Sequence, residues 1–265
     1  MCGIAGYSLS DASRVDRTLA AQALLAGIAE RGADAVGYAW RTGIPEVEVR
    51  KQRSGASALL ERLTVPQPAT QALIHVRDYT KGHPSIEANN HPVRHGSVVG
   101  IHNGIIANDD ELFTAERIER QDAEMSVDSE IIFALAEREQ GSPRVFERFV
   151  GSMAAAWMDE SRPGVLFLVR GVGRPLWTGH TRHETFFAST RHALQVVEDA
   201  LRMTLTKREV DEGTLIALAA GRTAWSERFT PDRSHVEEPL PAVRSAEEGR
   251  SCLARLAAIA AAAAA

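Results

Sequence analysis

Met1-Cys2-Gly3-Ile4-Ala5-Gly6-Tyr7-Ser8-Leu9 is the stretch on which the reading of this chain turns. Ile4–Leu9 has the apolar character of a first strand, and Gly3 and Gly6 let another backbone come close to it. Cys2 matters through its place. A small residue after the initiator methionine predicts removal of Met1, which leaves Cys2 with both a thiol and a free α-amine. That amine has a reference pKa of about 7.7–8.0, near working pH. One residue then supplies nucleophile and base. Read alone, Cys2 is better taken as a small apolar residue opening a strand, so its surroundings must decide.

Outward from that strand, Ser13 or Asp16 is placed to cap a helix running to about Glu30. Arg31-Gly32-Ala33-Asp34 reads as a turn. Strands follow at Val36–Trp40 and Val47–Lys51, then a short helix near Ala56–Leu63 and a break at Pro66 and Pro68. Ala72–Val76 is a strand, and a polar loop rich in His, Asn and Pro runs to His95. Val98–Ile106 reads as a strand interrupted at Asn103-Gly104. Asp128 to about Gln140 is a helix, with Ile131/Leu135 and Ile132/Ala136 paired at i,i+4. A second helix leads from Pro143 to Val150.

Strands are expected at Met153–Asp159, Val165–Val169, Leu176–Thr178 and Phe186–Ala188, a helix at His192–Leu201, and last strands near Thr214–Leu218 and Thr223–Phe229. Gly171-Val172-Gly173 reads as a tight hairpin rather than a phosphate loop, because Arg174-Pro175 follows and no helix starts there. Helices flanking two runs of strands point to a layered sandwich, not a barrel. One domain over residues 1–230 is therefore expected, with an extension over 231–265 broken by Pro231, Pro239 and Pro241. The extension ends in an Ala-rich, helix-favouring segment, Ser251–Ala265, readable as a docking helix or a frayed tail. Cys252 in it is a small packing residue.

The 265 residues suffice for one large domain or two small ones. A net charge of −5 without a basic block argues against nucleic acid as a partner. No apolar run is long enough to cross a bilayer, and the first residues lack the pattern of a secretory signal. Two cysteines give no disulfide framework, so a reducing cytoplasm is the expected location. His83, His91, His95 and His102 match no standard zinc spacing. No metal and no cofactor is implied.

Five local features stand in order: Met1–Gly6; Arg31-Gly32-Ala33-Asp34-Ala35-Val36-Gly37; His75-Val76-Arg77-Asp78-Tyr79-Thr80-Lys81-Gly82; Asn90-His91-Pro92 with His102-Asn103-Gly104-Ile105-Ile106; and Ser126-Val127-Asp128-Ser129-Glu130 opening a helix. Each is weak alone. Together, behind a cysteine at position two, they resemble the glutaminase domain of class II glutamine amidotransferases. The resemblance covers the first half of the chain and continues more weakly to about Phe229.

It implies an α+β fold, a four-layer αββα N-terminal-nucleophile hydrolase sandwich with two mainly antiparallel sheets. It implies that Cys2 attacks the side-chain amide of glutamine, its α-amine moving the proton, and that a γ-glutamyl thioester is hydrolysed to glutamate. By the same resemblance Asn103 and Gly104 form the oxyanion hole. Arg77 and Thr80 take the substrate carboxylate and Asp128 its ammonium, while His91 lines the pocket. Arg31 and Asp34 support the loop beside Cys2. As residues alone, Asn103-Gly104 is also a hairpin turn, Asp128 a helix cap and Arg77 a surface ion pair.

The family pattern has an aromatic then a small residue where Asp78 and Tyr79 stand, and some relatives have His at Lys81. Asp78 is therefore expected to compete for the Arg77 guanidinium. The residues after 230 are too few for an acceptor domain, so a separate ammonia-accepting synthase is the expected partner. Two other readings stay open: a non-catalytic scaffold that keeps the fold, and an amidohydrolase acting on another γ-glutamyl amide.

Overall fold

The computed structural model describes residues 2–42, 44–237 and 241–263. The expectations for Met1, Pro239 and the last two alanines lie outside the described residues. Two antiparallel sheets make the centre. The seven-stranded sheet contains β1 (Gly3–Leu9), β2 (Ala35–Arg41), β3 (Glu48–Gln52), β4 (Gln71–Arg77), β9 (Trp177–His180), β10 (Glu184–Ala188) and β11 (Thr206–Glu209), in the order β11-β9-β10-β1-β4-β2-β3. The six-stranded sheet contains β5 (Val93–His95), β6 (Val98–Ile106), β7 (Gly151–Asp159), β8 (Val165–Arg170), β12 (Thr214–Ala219) and β13 (Arg222–Arg228), in the order β13-β12-β8-β7-β6-β5.

Strand alternation builds three cores and hence four layers. Ile4, Leu73, Val99, Ile101, Ala154, Leu166 and Phe187 meet between the sheets. Ala5, Tyr7 and Leu9 point the other way, into helices α1 (Arg17–Ile28), α4 (Arg191–Leu201) and α5 (Ala246–Ala263). On the far side, Trp157, Phe167 and Val169 pack against α3 (Glu130–Arg138), and the short α2 (Asp109–Glu116) adds Leu112 and Phe113. The αββα sandwich that the resemblance implied is what the chain forms.

Asp16 caps α1, accepting from the Leu19 N–H at 2.9 Å. From Ala20 to Ile28 every residue of α1 is buried. A helix apolar on all sides needs cover on all sides. The sheet supplies one face, α4 another, and α5 the third through Cys252 and Leu256. Gly27 lets α4 approach, since a Cβ there would stand 2.6 Å from the Ala193 Cα. The Ala-rich segment is thus a helix docked on its own chain.

Several expectations change. β6 is not interrupted at Asn103-Gly104: it pairs with β7 from Val98↔Asp159 to Ile106↔Gly151 without a break. Gly104 makes this possible, with φ +149 and the Ser152 carbonyl 1.9 Å from where a Cβ would sit. Residues 171–175 do not form a hairpin. They cross from β8 in one sheet to β9 in the other, held by Gly171 N–H to Met153 O and Met153 N–H to Val172 O. The helices expected at Ala56–Leu63 and Pro143–Val150 shrink to 3-10 turns, Ala56–Ala58 and Pro143–Arg148. β5, β11 and α2 were not anticipated.

Candidate active site

Cys2, Arg77, Asp78, Tyr79, Thr80, Lys81, His91, His102, Gly104, Val127, Asp128 and Ser129 surround one small cavity at the end of β1, β4 and β6. Its volume of about 10 Å³ admits roughly one water. β1 and β4 are neighbours in register, Gly3 opposite Val76, which sets Cys2 beside Arg77. The Cys2 thiol donates to the Asp78 carbonyl at 3.5 Å. Cys2 is half-buried, and desolvation pushes its thiol above its ordinary pKa.

The support around Cys2 comes from the turn before β2. Arg31 is buried and donates from Nε to the Cys2 carbonyl at 2.8 Å. Asp34 accepts the Tyr79 N–H at 2.9 Å, and its own N–H donates to the Arg77 carbonyl at 3.0 Å. Asp34 therefore ties the turn before β2 to the loop after β4.

Arg77 is 2% exposed, so it is no surface ion pair. Its Nη1 donates to Asn90 Oδ1 at 2.6 Å, and its Nη2 donates to the Lys81 carbonyl at 2.8 Å and to the Gly82 carbonyl. The loop carbonyls and the Asn90 side chain thus take up the Arg77 guanidinium nitrogens Nη1 and Nη2. The Asp78 carboxylate pairs with Arg244 at 3.1 Å, a residue far along the chain. Lys81 also turns outward, to Asp109 at 2.7 Å and Asp110 at 2.9 Å. Thr80 is exposed at the rim.

Asp128 is buried but does not cap α3, whose preceding residue, Ser129, makes no side-chain cap. Its Oδ2 accepts the Ile106 N–H at 2.7 Å instead. Burial raises its pKa to about 6. Asn103 is fully buried, and neither amide atom finds a partner among the described residues. It sits on the face of β6 that carries Val99 and Ile101, the face towards β1. A buried, unpaired amide costs about 1–3 kcal/mol, which calls for a use.

The histidines separate. His95 pairs with Glu130 at 2.9 Å, and His83 contacts Ser85 at 2.7 Å. His102 Nδ1 meets Ser129 Oγ at 2.8 Å. His75 donates from Nε2 to the His102 carbonyl at 3.1 Å and stacks on His91 with ring centroids 4.2 Å apart. Burial drives His75 and His102 down to about 3 and His91 well below its ordinary value, so all three are neutral at pH 7. His75, His102, Asn90 and Ser129 all lay inside the quoted motifs without an assigned role. Arg174, Glu237 and Arg244 carry no local signal, because they stand in segments without periodicity.

Comparison with known proteins bears on the family and the fold. Residues 79–196 match the family described as "Glutamine amidotransferase domain". The chain is 31% identical over 204 residues to a glutamine–fructose-6-phosphate aminotransferase (isomerizing) of Gluconobacter oxydans, covering 73% of this chain and 32% of the relative. It is 30% identical over 253 residues to the enzyme of that name from Chlamydia caviae, covering 89% and 39%. The chain thus spans about a third of the length of these relatives. The fold is also that of the glutamine phosphoribosylpyrophosphate amidotransferase of B. subtilis, with TM-score 0.68 at 20% identity, over 87% of this chain and 50% of that one. A glutamine aminotransferase class-II domain protein from Silicibacter pomeroyi superposes with TM-score 0.54 at 17% identity, over 87% of this chain and all of that one.

Proposed function

Since the chain carries a glutamine amidotransferase domain of class II, we propose that it hydrolyses the side-chain amide of glutamine through Cys2. The single observation that carries this reading is the convergence of Cys2, Arg77, Gly104 and Asp128 on one cavity from three separated strands and a helix start. Cys2, freed of Met1, attacks the amide carbon, and the thiol proton passes to its α-amine. The tetrahedral oxyanion takes hydrogen bonds from the Asn103 amide and the Gly104 N–H. Ammonia leaves with the proton, and water then cleaves the γ-glutamyl thioester to glutamate.

In this reading Arg77 and Thr80 receive the α-carboxylate, with Arg77 exchanging its loop carbonyls for substrate oxygens, and Asp128 receives the α-ammonium. His91 and His102, kept neutral, line the pocket without adding charge. We assign the glutaminase domain to residues 1–230, against which α5 (Ala246–Ala263) packs through Cys252 and Leu256. The ammonia goes to an acceptor site outside residues 1–265.

The direct test is intact mass spectrometry after incubation with a glutamine-analogue electrophile. The expected product has lost Met1 and carries one label at Cys2. A chain that lacks Met1 but takes no label would instead favour a non-catalytic scaffold, for which the internally satisfied Arg77 is the supporting observation.

Asp128 adds a pH signature. Its raised pKa of about 6 means the folded protein binds this proton more tightly than the unfolded chain. The buried carboxylate therefore costs stability above pH 6, and that cost is relieved as pH falls towards 4. Function runs the other way, because ammonium binding needs the charged form. kcat/KM should steepen its fall below pH about 6. Asp128→Asn should remove that second step and raise the KM by about 10- to 100-fold, the worth of one charge-assisted hydrogen bond. Arg77→Lys should also raise the KM. An unchanged KM in both variants would overturn the assigned substrate orientation.

A further inference from the structure

The core between the sheets is apolar, but at one edge of the sandwich both sheets turn polar residues inward. Thr178 and His180 of β9 stand opposite Phe187 and Thr185, so they share the face of Phe187, which packs between the sheets. Arg208 of β11 stands opposite Thr178 on that face. In the other sheet Ile216 of β12 packs against the same core, and Thr214, Ser226 and Arg228 share its face through the β12–β13 register. Facing sheets normally close on interdigitated apolar side chains. Here hydroxyls, a histidine and two arginines surround a cavity of about 330 Å³, with Ile216 and Val210 also in its wall. That size is ordinary for a small-molecule site, about 300–1,000 Å³. The cavity shares no lining residue with the one at Cys2.

The polar groups divide by task. His180 belongs to the wall: its Nδ1 meets Thr185 Oγ1 at 2.9 Å and its Nε2 meets Thr178 Oγ1 at 3.0 Å. Burial lowers its pKa, so it adds no charge at pH 7. The two guanidiniums come from opposite sheets and converge on one carboxylate oxygen. Asp211 Oδ2 lies 3.4 Å from Arg228 Nη1 and 3.9 Å from Arg208 Nη2. One oxygen at those lengths saturates neither fork. We infer that this cleft is a binding site for a small hydroxylated phosphate monoester, held by Arg208 and Arg228 from its two sides. A tetrahedral phosphate offers oxygens to both forks, whereas a planar carboxylate pairs with one. The hydroxyls of Thr214, Thr223 and Ser226 then meet the ligand's hydroxyls, and Ile216 and Val210 meet its carbon frame. Asp211 is 65% exposed and turns to water as the phosphate enters.

The test titrates the full chain by calorimetry with ribose 5-phosphate and glucose 6-phosphate, and with ribose and inorganic phosphate as separate arms. At least one of the two esters should bind with a Kd below about 1 mM and shift the methyl resonance of Ile216. Ribose should not bind, and inorganic phosphate should bind about tenfold more weakly or worse, since it leaves the hydroxyls unused. Arg208→Ala should weaken the ester by about tenfold or more. That side chain is 78% exposed, so the fold should survive its loss. Asp211→Asn should tighten the ester, because a like charge leaves the fork. Cys2→Ala should bind it as the parent does, which separates this site from the glutamine site. Failure of both esters to bind at about 10 mM overturns the proposal, as does a bound ester that leaves the Ile216 methyl unmoved. An Arg208→Ala chain that melts like the parent and binds within about twofold of it overturns it too. Inorganic phosphate as tight as the esters overturns the assignment of the hydroxyls. If Arg228→Ala melts early, Arg208→Ala and the Ile216 shift decide the matter.

Discussion

Cys2→Ala is expected to release no glutamate from glutamine above background, a loss of roughly a millionfold on the precedent of nucleophile removal. The change is clean because its structural contacts survive. Arg31 holds Cys2 through the main-chain carbonyl, which alanine keeps, and β1 retains its register with β4 and β10. Only the thiol contact to the Asp78 carbonyl is lost. Cys2→Ser should fall between, since it keeps the α-amine and a hydroxyl but offers a weaker nucleophile. The measurement is steady-state glutamate release by chains confirmed to lack Met1. Full activity in the alanine variant would remove Cys2 from the mechanism.

Asn103→Ala should lower kcat by about 10²- to 10³-fold, the loss of one oxyanion donor worth about 2.7–4 kcal/mol of barrier, with KM nearly unchanged. Stability gives the discriminating half of this prediction. The Asn103 amide is buried with no partner among the described residues, so its removal deletes an unpaid desolvation cost and should leave the melting temperature unchanged or higher. A purely structural asparagine would behave in the opposite way, with a lower melting temperature and a preserved kcat. Gly104 offers no such clean test. Any side chain there would meet the Ser152 carbonyl and break the β6–β7 pairing.

The sequence carried most of the layer plan, because strands with apolar residues on alternate or both faces advertise themselves locally. It misled where a local rule had a rival. Asn103-Gly104 has the chemistry of a tight turn, but continuous pairing with β7 overrides it and uses the glycine for close approach instead. β11 reads Thr-Lys-Arg-Glu and sits at a sheet edge, so no apolar alternation marks it. α2 carries a legible signal, three acids in its first turn. Of the candidate site residues, Cys2, Arg77, Thr80, His91, Gly104 and Asp128 line the cavity, while Arg31, Asp34 and Asn103 do not. What could not be read was pairing at a distance. Nothing local in Pro241–Ser245 says that Arg244 will meet Asp78, 166 positions earlier (244 − 78).

The small cavity has a consequence for how tightly substrate appears to bind. Ligand pockets are usually about 300–1,000 Å³, and this one holds about 10 Å³. If the chain hydrolyses glutamine as proposed, the substrate enters only a conformer in which this cavity has widened, and the apparent Kd is then the intrinsic Kd divided by the fraction of molecules in that conformer. If one molecule in about a hundred is receptive, affinity is understated about a hundredfold. Any protein that favours the receptive conformer would then sharpen glutamine affinity without touching a substrate contact, and linkage requires glutamine to strengthen that protein's binding by the same factor.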